Sequence, residues 1–408
     1  MGRLATGLRE IGCPTTCADL SGHPFDYEAA GWWSSVAGFL GKRRRDSSGL
    51  RRAFWESQLW ILTGSVVVWA LRRHDVFVIA ALPAAAALPT TALLRLAGKR
   101  LIVVFSGSDS RPPYLDGFQP VTRSGDTAAL ERATARQRRA VRSMERWAHV
   151  VVSHTASSHF LTRPFVPFLL MGIAAPEQRV PSPVPQSDVA RVVHAPSDPI
   201  GKGSAVVRAA VEELQAEGLQ IKLIELSGVP HSEVLLELAR ADLVVDQVFS
   251  DQPIPGLATE ASSMAKPVVI GGYDWQVLRR EIPAPAWPPT VQVHPGGMKS
   301  AIRDLATDPK LRISAGLNAQ EFVNRRFRPT QVATRFLELA RRDPPPEMLF
   351  NPSDIAAIHG CGLSRDRRRE LIDSLVTGYG ISALGLADKP QLERRVMLGR
   401  LDGQKRDE

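Results

Sequence analysis

Three neighbouring segments are the most informative about the fold: Ala241-Asp-Leu-Val-Val-Asp-Gln247, Pro255-Gly-Leu-Ala-Thr-Glu-Ala261 and Ala265-Lys-Pro-Val-Val-Ile270. The first and third contain short apolar runs typical of buried strands. The second predicts a helix that begins at a glycine after a loop. Buried strands joined by helices are typical of a parallel sheet built from βαβ units, so we expect an α/β fold.

The same alternation runs through most of the chain. In the first half the predicted strands are 76–80, 101–105, 150–153 and 165–170, with helices at 53–72, 85–96 and 127–147. In the second half the predicted strands are 189–194, 221–226, 243–246 and 267–270, with helices at 204–217, 232–239 and 256–264. We therefore predict two Rossmann-like, doubly wound lobes with a cleft between them.

The predicted domains follow from this pattern. They are an N-terminal lobe (1–175), a proline-rich linker (176–188), a C-terminal lobe (189–326), a crossover helix (327–343) and a helical appendix (344–408) with helices near 353–359 and 365–377. The first lobe is expected to open on a helix at 1–11 and a strand at 15–20, whereas such lobes normally begin with a strand and a glycine-rich turn. Either the chain continues upstream of Met1 or this lobe lacks its first strand.

The charge balance points to an anionic partner. The 408 residues carry a net charge of +9, with arginines concentrated at 43–52 and 132–146. Nucleoside diphosphates, lipid phosphates and membrane surfaces all fit, and the run at 132–146 is equally explained as a solvated helix face. No nucleic-acid reader motif accompanies the charge, so nucleic acid is not an expected partner.

Two apolar stretches bear on membranes. The stretch 76–94 contains Pro83 and Pro89 and favours a strand, a loop and a helix over a membrane span. The stretch 54–71 carries three tryptophans between arginine pairs, and is either an interfacial helix or an inward-facing helix of a large lobe.

Composition also bears on location and metals. The polar start at 1–10 is not a signal peptide, and three cysteines without disulfide spacing favour a reducing compartment. Cys13 and Cys17 lack a partner pair, so no metal site is expected. We expect a cytoplasmic protein, with peripheral contact at the inner face of the membrane as a further option.

The segment His194-Ala-Pro-Ser-Asp-Pro-Ile-Gly-Lys-Gly-Ser204 joins a predicted strand to a helix. Backbone N–H groups at a helix N-terminus, together with a lysine in the same turn, form a site for a diphosphate. Lys202 would supply a positive charge to the diphosphate. This turn does not have the spacing of a P-loop.

A second set of candidates lies at the carboxyl edge of the same predicted sheet. Glu260 is predicted in the first turn of the helix that starts at Gly256, where a carboxylate is stabilised by the helix dipole and can accept hydrogen bonds from ribose hydroxyls. Asp246 ends a predicted strand, where it is either a structural cap or a contact to the ligand bound at this edge. His231 opens a helix, as a cap or a nucleobase contact.

The order and spacing of these motifs resemble the C-terminal lobe of the family 4, or group 1, GT-B glycosyltransferases. The resemblance covers about residues 189–340, and the first lobe only loosely. The matching residues are Lys202-Gly203, Ala241-Asp242-Leu243, Gly256, Glu260-Ala261 and Lys266-Pro267-Val268.

This resemblance implies a transferase that moves a hexose from a UDP- or GDP-linked sugar, without a metal or another cofactor and with retained configuration. It places Lys202 on the donor diphosphate and Glu260 on the ribose. The remaining donor-binding candidates are Ser197, Gly203, Ser204, His231, Asp246 and Gly256. The acceptor, a glycan, lipid-linked or secondary-metabolite molecule, is not encoded in a motif.

The chain departs from the family pattern at several positions. Gln252 stands where the family has a glutamate eight positions before Glu260, Pro255 takes the place of a glycine, and Ser197 that of an arginine. In the first lobe, Phe105-Ser-Gly-Ser-Asp-Ser-Arg111 is similar to a His-Gly-Ser-Asp loop of the family, with Ser106 in place of the histidine. Asp109 and Arg111 are therefore catalytic candidates, with a capped polar turn as the alternative.

The departures leave alternatives open. A binding or partner protein that kept the fold without activity is one, and a sugar-nucleotide epimerase, which shares the two-lobed fold, is another.

Overall fold

The computed structural model describes residues 1–20, 32–80, 84–176 and 189–399. The predicted linker at 176–188 therefore lies almost entirely outside the described residues. Within the described ranges, no helix has the length and apolar character needed to cross a bilayer.

The first lobe is built on a four-stranded parallel sheet in the order β1-β2-β3-β4. Its elements are α1 (Gly2–Glu10), α2 (Trp32–Arg45), α3 (Gly49–Leu71), β1 (Val76–Ala80), α4 (Ala84–Leu96), β2 (Arg100–Val104), α5 (Val121–Ser124), α6 (Thr127–Trp147), β3 (Val150–Ser153), β4 (Val166–Pro167) and α7 (Phe168–Met171). The strand order follows the chain order, and β1 is a half-buried edge strand next to the buried β2.

The second lobe is built on a five-stranded parallel sheet in the order β6-β5-β7-β8-β9. Its elements are β5 (Ala190–His194), α8 (Pro199–Lys202), α9 (Ser204–Ala216), β6 (Ile221–Glu225), α10 (His231–Arg240), β7 (Leu243–Gln247), α11 (Gly256–Ser263), β8 (Val268–Gly271), α12 (Trp275–Glu281), β9 (Val291–Val293), α13 (Met298–Thr307) and α14 (Pro309–Arg326). The winding reverses between β5 and β7, and ligands bind at such a reversal in open α/β sheets.

The predicted α/β architecture is confirmed, since both sheets are parallel throughout and are joined by helices. The bounds of β1, β3 and α6 match the prediction. Two predicted strands are wrong in whole or in part. Residues 15–20 form no strand, and the strand predicted at 165–170 is limited to two residues before α7. Pro167 lacks an N–H group, which favours an edge position and an early end of the strand.

The crossover helix α15 (Pro329–Arg341) leaves the second lobe and packs against the sheet of the first. Val332, Phe336 and Leu339 lie in one apolar cluster with strand residues of β2 and β3. The N-terminal helix α1 packs on α15, so closely that a Cβ on Gly7 would lie 2.2 Å from the carbonyl oxygen of Pro329. The helices α1 and α15 therefore cover the same face of the first sheet.

The C-terminal residues belong to the core of the first lobe. The helices α16 (Arg365–Tyr379) and α17 (Pro390–Leu398) contribute Leu371, Leu375 and Leu392 to a cluster that also contains Phe105 and Tyr114. The predicted helix near 365–377 is confirmed. These helices complete an apolar core that the first lobe's own strands and helices leave open.

The helix predicted at 353–359 is wrong beyond a single turn at Pro352–Asp354. Instead the backbone N–H groups of Ile358 and His359 both donate to the Asp274 carboxylate, each at 2.9 Å. Their donors are used by a tertiary contact with the second lobe, so they do not form a helical ladder. The imidazole of His359 bonds the other oxygen of Asp274 at 2.7 Å and lowers the pKa of that carboxyl against the effect of burial.

The segment 350–362 therefore joins the two lobes through its backbone. Phe350 exchanges two backbone hydrogen bonds with Phe165 of the first lobe, and Cys361 donates to Leu115 of the same lobe. The next residue, Gly362, donates to Phe249 of the second lobe at 2.7 Å. A segment bonded on both sides fixes how the lobes face each other.

Replacing Gly117 by alanine tests this junction. Its added Cβ would lie 1.9 Å from the carbonyl oxygen of Gly362, so the segment must shift. We expect Gly117→Ala to lower the free energy of unfolding by about 1–3 kcal/mol, measured by urea denaturation. The matched control is Gly38→Ala in α2, where a Cβ meets no atom within 4 Å and should be neutral or stabilising. Equal stability of the two variants would contradict this assignment.

Candidate functional site

The turn after β5 is held by one carboxylate and one glycine. Asp198 caps α8 by accepting hydrogen bonds from the backbone N–H groups of Ile200 and Gly201. Gly203 has φ +75°, and a Cβ there would lie 2.7 Å from the side chain of Val248. A glycine is therefore required where the chain passes from α8 into α9.

Ser204, a donor-binding candidate, has a structural contact. Its hydroxyl lies 2.8 Å from Nε2 of the buried His194, whose Nδ1 lies 2.8 Å from the carbonyl oxygen of Val245. Burial lowers the pKa of His194, so the ring is neutral near pH 7. The Ser204 side chain therefore ties α9 to the sheet, and the Gly203 amide is also engaged, with the carbonyl of Ile200.

Lys202 and Asp246 form an ion pair across the point where the winding reverses. The Lys202 ammonium lies 2.8 Å from Oδ1 of Asp246, which is fully buried at the end of β7. The other Asp246 oxygen accepts a hydrogen bond from the Ala258 amide in the first turn of α11, at 3.1 Å. Asp246 thus links the turn after β5 to the helix that carries Glu260.

Glu260 is buried, and two basic side chains contact its carboxylate. Its Oε1 accepts a hydrogen bond from Arg3 at 2.9 Å, and Nε2 of His231 lies 3.0 Å from both carboxylate oxygens. The Glu260 side chain is 10% exposed. Because a carboxylate accepts about four hydrogen bonds, these contacts leave limited capacity for a ribose hydroxyl.

Arg111 lies in a buried ion pair between the lobes. Its Nε and Nη2 lie 2.8 and 2.7 Å from one oxygen of Asp251 in the second lobe. Its Nη1 lies 3.4 Å from Asp116 of its own lobe. Burial alone would lower the pKa of Arg111, but the two carboxylates raise it above its ordinary value. The guanidinium is therefore always charged, and a substrate reaches it only when the lobes separate.

Three ion pairs across the lobe interface have the same arrangement of charges. Arg111 pairs with Asp251, Arg123 pairs with Asp198, and Arg3, on a helix packed under the first sheet, pairs with Glu260. In each of these pairs the arginine belongs to the first lobe and the carboxylate to the carboxyl-edge loops or helices of the second. Opposite charges on facing surfaces favour the closed arrangement.

The predicted cleft is closed in this structure near its centre. A cavity of about 10 Å³ lies at the interface, with His154 and Phe168 on one side and Asp251 and Pro253 on the other. This volume admits at most one water molecule. Burial lowers the pKa of His154 to about 4, so its imidazole is neutral there.

The other candidates lie around this interface. Asp109 accepts a hydrogen bond from the Ser106 amide at 3.1 Å, as a residue that caps a polar turn does, and burial raises its pKa. Ser197 and Gly256 are both exposed, in the turn after β5 and at the start of α11. Among the described residues, no group of three His, Cys, Asp or Glu side chains is arranged to hold a metal.

Sequence reasoning missed several residues at this site, among them the interface carboxylates Asp198 and Asp251. Arg3 and Arg123 reach their carboxylates from distant segments, and no local pattern marks them. His154 carried a usable signal, because it directly follows β3 at the carboxyl edge, where ligand contacts concentrate.

Several solved structures are similar to this chain. Anabaena Alr3699/HepE in complex with UDP-glucose has a TM-score of 0.45 and 17% identity, over 79% of this chain and 98% of that one. The calicheamicin glycosyltransferase CalG4 has a TM-score of 0.37 and 14% identity, over 84% and 95%. UDP-bound MnaA of S. aureus has a TM-score of 0.39 and 11% identity, over 84% and 94%.

No protein-family model and no curated protein matches the sequence. At these identities and TM-scores, the solved structures assign neither a residue role nor an activity to this chain.

Removal of the Arg111 side chain tests the interface. Arg111→Ala leaves Asp251 and Asp116 buried without their cation, and breaking a buried ion pair in this way costs about 3–5 kcal/mol. We expect a loss of that size in the free energy of unfolding. Arg341→Ala, at an exposed arginine of α15, is the control and should change stability by less than about 0.5 kcal/mol. A similar small change in both variants would contradict the inferred role.

Proposed function

We propose that this protein is a glycosyltransferase that transfers a hexose from a UDP- or GDP-linked sugar held mainly by the second lobe. One observation carries the proposal. Lys202 and the helix of Glu260 are joined through Asp246 at the reversal of a parallel sheet. A reversal of this kind is where open α/β sheets bind nucleotides.

The proposed chemistry rests on charge. Departure of a nucleoside diphosphate leaves negative charge on the phosphate oxygens, and donors already aimed at that position lower the barrier. An ammonium has three N–H donors, so Lys202 can bond Asp246 and a phosphate oxygen together. The N-terminus of α9 adds amide donors at residues 204 and 205. This arrangement supports transfer that does not require a metal.

Glu260 and His231 are proposed to hold the nucleoside. The two side chains lie 3.0 Å apart, with His231 at the start of α10 and Glu260 in the second turn of α11 rather than in the predicted first turn. The carboxylate would accept hydrogen bonds from the ribose hydroxyls, and the neighbouring imidazole would contact the nucleobase. Because Arg3 already bonds Glu260, a ribose must share or displace that contact.

Donor binding is proposed to require separation of the lobes. The arginines at 3, 111 and 123 face the carboxylates of the second lobe, and a diphosphate brings negative charge to that same surface. Separation would expose Arg111 and Asp109 to substrate, which is the condition for their predicted catalytic role. We propose that the acceptor, a glycan, lipid-linked or secondary-metabolite molecule, is bound by the first lobe and that configuration is retained.

A second candidate function is a binding or partner protein without transferase activity. The observation that favours it is the closed interface, in which Arg111 and Asp251 occupy the centre of the predicted cleft. The departure at Gln252 points the same way, because the resembled family has a glutamate there.

Incubation with a panel of UDP- and GDP-linked sugars separates these functions. Released nucleoside diphosphate together with a glycosylated product in a glycan or lipid extract supports transfer. A donor changed in its sugar stereochemistry supports epimerisation. Binding without either product supports the binding protein, and absence of nucleotide binding refutes the donor site altogether.

Glu260→Ala should weaken binding of the nucleoside diphosphate by about 10- to 100-fold, because hydrogen bonds to a charged group contribute about 1.5–3 kcal/mol. Isothermal titration calorimetry measures the dissociation constant. The control is Glu212→Ala on the exposed face of α9, for which affinity should not change. If Glu260→Ala lowers thermal stability but leaves affinity intact, the residue serves the fold only.

Lys202→Ala should reduce affinity for UDP or GDP far more than for uridine or guanosine, because the ammonium is proposed to contact phosphate. Affinity for the nucleoside also reports whether the site is still folded after Asp246 loses its partner. The control is Lys222→Ala on the exposed side of β6. Equal losses for nucleotide and nucleoside would rule out the phosphate contact.

A further inference from the structure

The helices α2 and α3 form a hairpin that contributes almost nothing to the protein core. Of the 23 residues of α3, only Val66 is buried. The alternative that this stretch is an inward-facing helix is therefore wrong. A long helix with one buried residue presents most of its surface to whatever surrounds the protein.

The exposed surface of α3 has an apolar stripe. Leu50, Phe54, Ile61 and Val68 are 90%, 55%, 62% and 45% exposed. Their spacings of four and seven residues place them on one face of the helix. Several exposed apolar side chains on one face of a helix are typical of an interaction site.

The stripe continues onto α2. Trp32, Val36 and Phe39 are exposed and lie at spacings of four and three residues, again on one helix face. The Phe39 ring contacts Trp55 at 6.3 Å between centroids, and Trp55 contacts Phe54 at 5.1 Å. The two helices thus share one aromatic patch.

Basic side chains border this patch at both ends. The turn of the hairpin carries six cations and one acid between residues 42 and 52. From 32 to 73 there are eight basic and two acidic residues, which accounts for six of the nine excess positive charges of the whole chain. At the far end, a shallow groove of about 580 Å³ is lined by Gly64, Ser65, Val68, Trp69, Arg72 and Arg73.

We propose that the α2–α3 hairpin docks this protein on an anionic lipid surface, with its apolar stripe at the level of the acyl chains and its arginines at the phosphates. Charge and composition identify the occupant. A helix with exposed tryptophans, an apolar stripe and flanking arginines binds in the plane of a bilayer interface. Five of the eight tryptophans lie at 32, 33, 55, 60 and 69.

A second copy of the chain fits this surface poorly. A twofold contact through the hairpin would bring two surfaces together that each carry six excess positive charges. Facing like charges oppose association. The docking inference does not depend on the transfer reaction, because the hairpin lies outside the residues assigned to donor binding.

Vesicle flotation tests the proposal. The full chain should float with vesicles of phosphatidylcholine and phosphatidylglycerol, bind pure phosphatidylcholine weakly, and dissociate as salt is raised. Tryptophan emission should shift to shorter wavelength on binding. Arg51→Gln/Arg52→Gln should weaken binding about thirty-fold. Phe54→Ser/Ile61→Ser should weaken it by at least about tenfold.

The chain offers matched controls for both changes. Arg341→Gln/Arg342→Gln removes two exposed charges at the C-terminal end of α15, and Leu311→Ser/Leu317→Ser removes two exposed apolar side chains from α14. Both should bind vesicles as the wild type does. Failure of the wild type to bind anionic vesicles, or unchanged binding by the hairpin variants, would overturn the proposal. Self-association without lipid that the hairpin variants abolish would instead assign the surface to a second copy.

Discussion

The relation between the two lobes depends on a guanidinium that is buried between carboxylates. Arg111 extends from the loop after β2 and meets Asp251, which extends from the loop after β7. Both side chains are buried, so water solvates neither charge. Each charge is stabilised by the other only while the lobes are in contact. This ion pair and the backbone hydrogen bonds of the segment 350–362 together hold the two sheets in their arrangement.

The same arrangement of charges bears on how a ligand would bind between the lobes. The first lobe supplies cations, and the second lobe supplies carboxylates from the turn after β5, the loop after β7 and the helix α11. Under the proposed function, an anionic ligand that enters this surface would replace carboxylates as the partners of those arginines, while Lys202 would stay bonded to Asp246. Closure by the protein's own charges and closure around a bound anion therefore use the same side chains.

Much of the architecture could be predicted because it is local. Apolar runs of four or five residues predicted β1, β3 and β7, and amphipathic spacing predicted α6, which the Asp126 side chain caps in the structure. The turn at Lys202 was found from glycine and lysine alone. The failures occurred where distant contacts decide the conformation. Residues 353–359 were predicted as a helix, yet the amides of Ile358 and His359 bond Asp274, which lies 84 and 85 positions away.

The residues of the candidate site also divide into those that local motifs predict and those that depend on distant contacts. Lys202, Asp246, His231 and Glu260 were predicted from motifs, and the structure brings His231 to Glu260 and Lys202 to Asp246. The ties to Arg3 and Arg123 span 257 and 75 positions, and a single sequence holds no pattern for them. Arg111 was expected in an open cleft. Its pairing with Asp251 depends on how the lobes meet, which neither lobe's own sequence pattern specifies.

The position of the last two helices has a consequence for synthesis on the ribosome. The second lobe is continuous from β5 to α14, so its sheet can form as soon as that stretch has emerged. The first lobe leaves the ribosome earlier, but its apolar cluster includes Leu371, Leu375 and Leu392 near the end of the chain. Its side chains must wait until α16 and α17 have emerged, so the half that is made first is the half that completes its folding last.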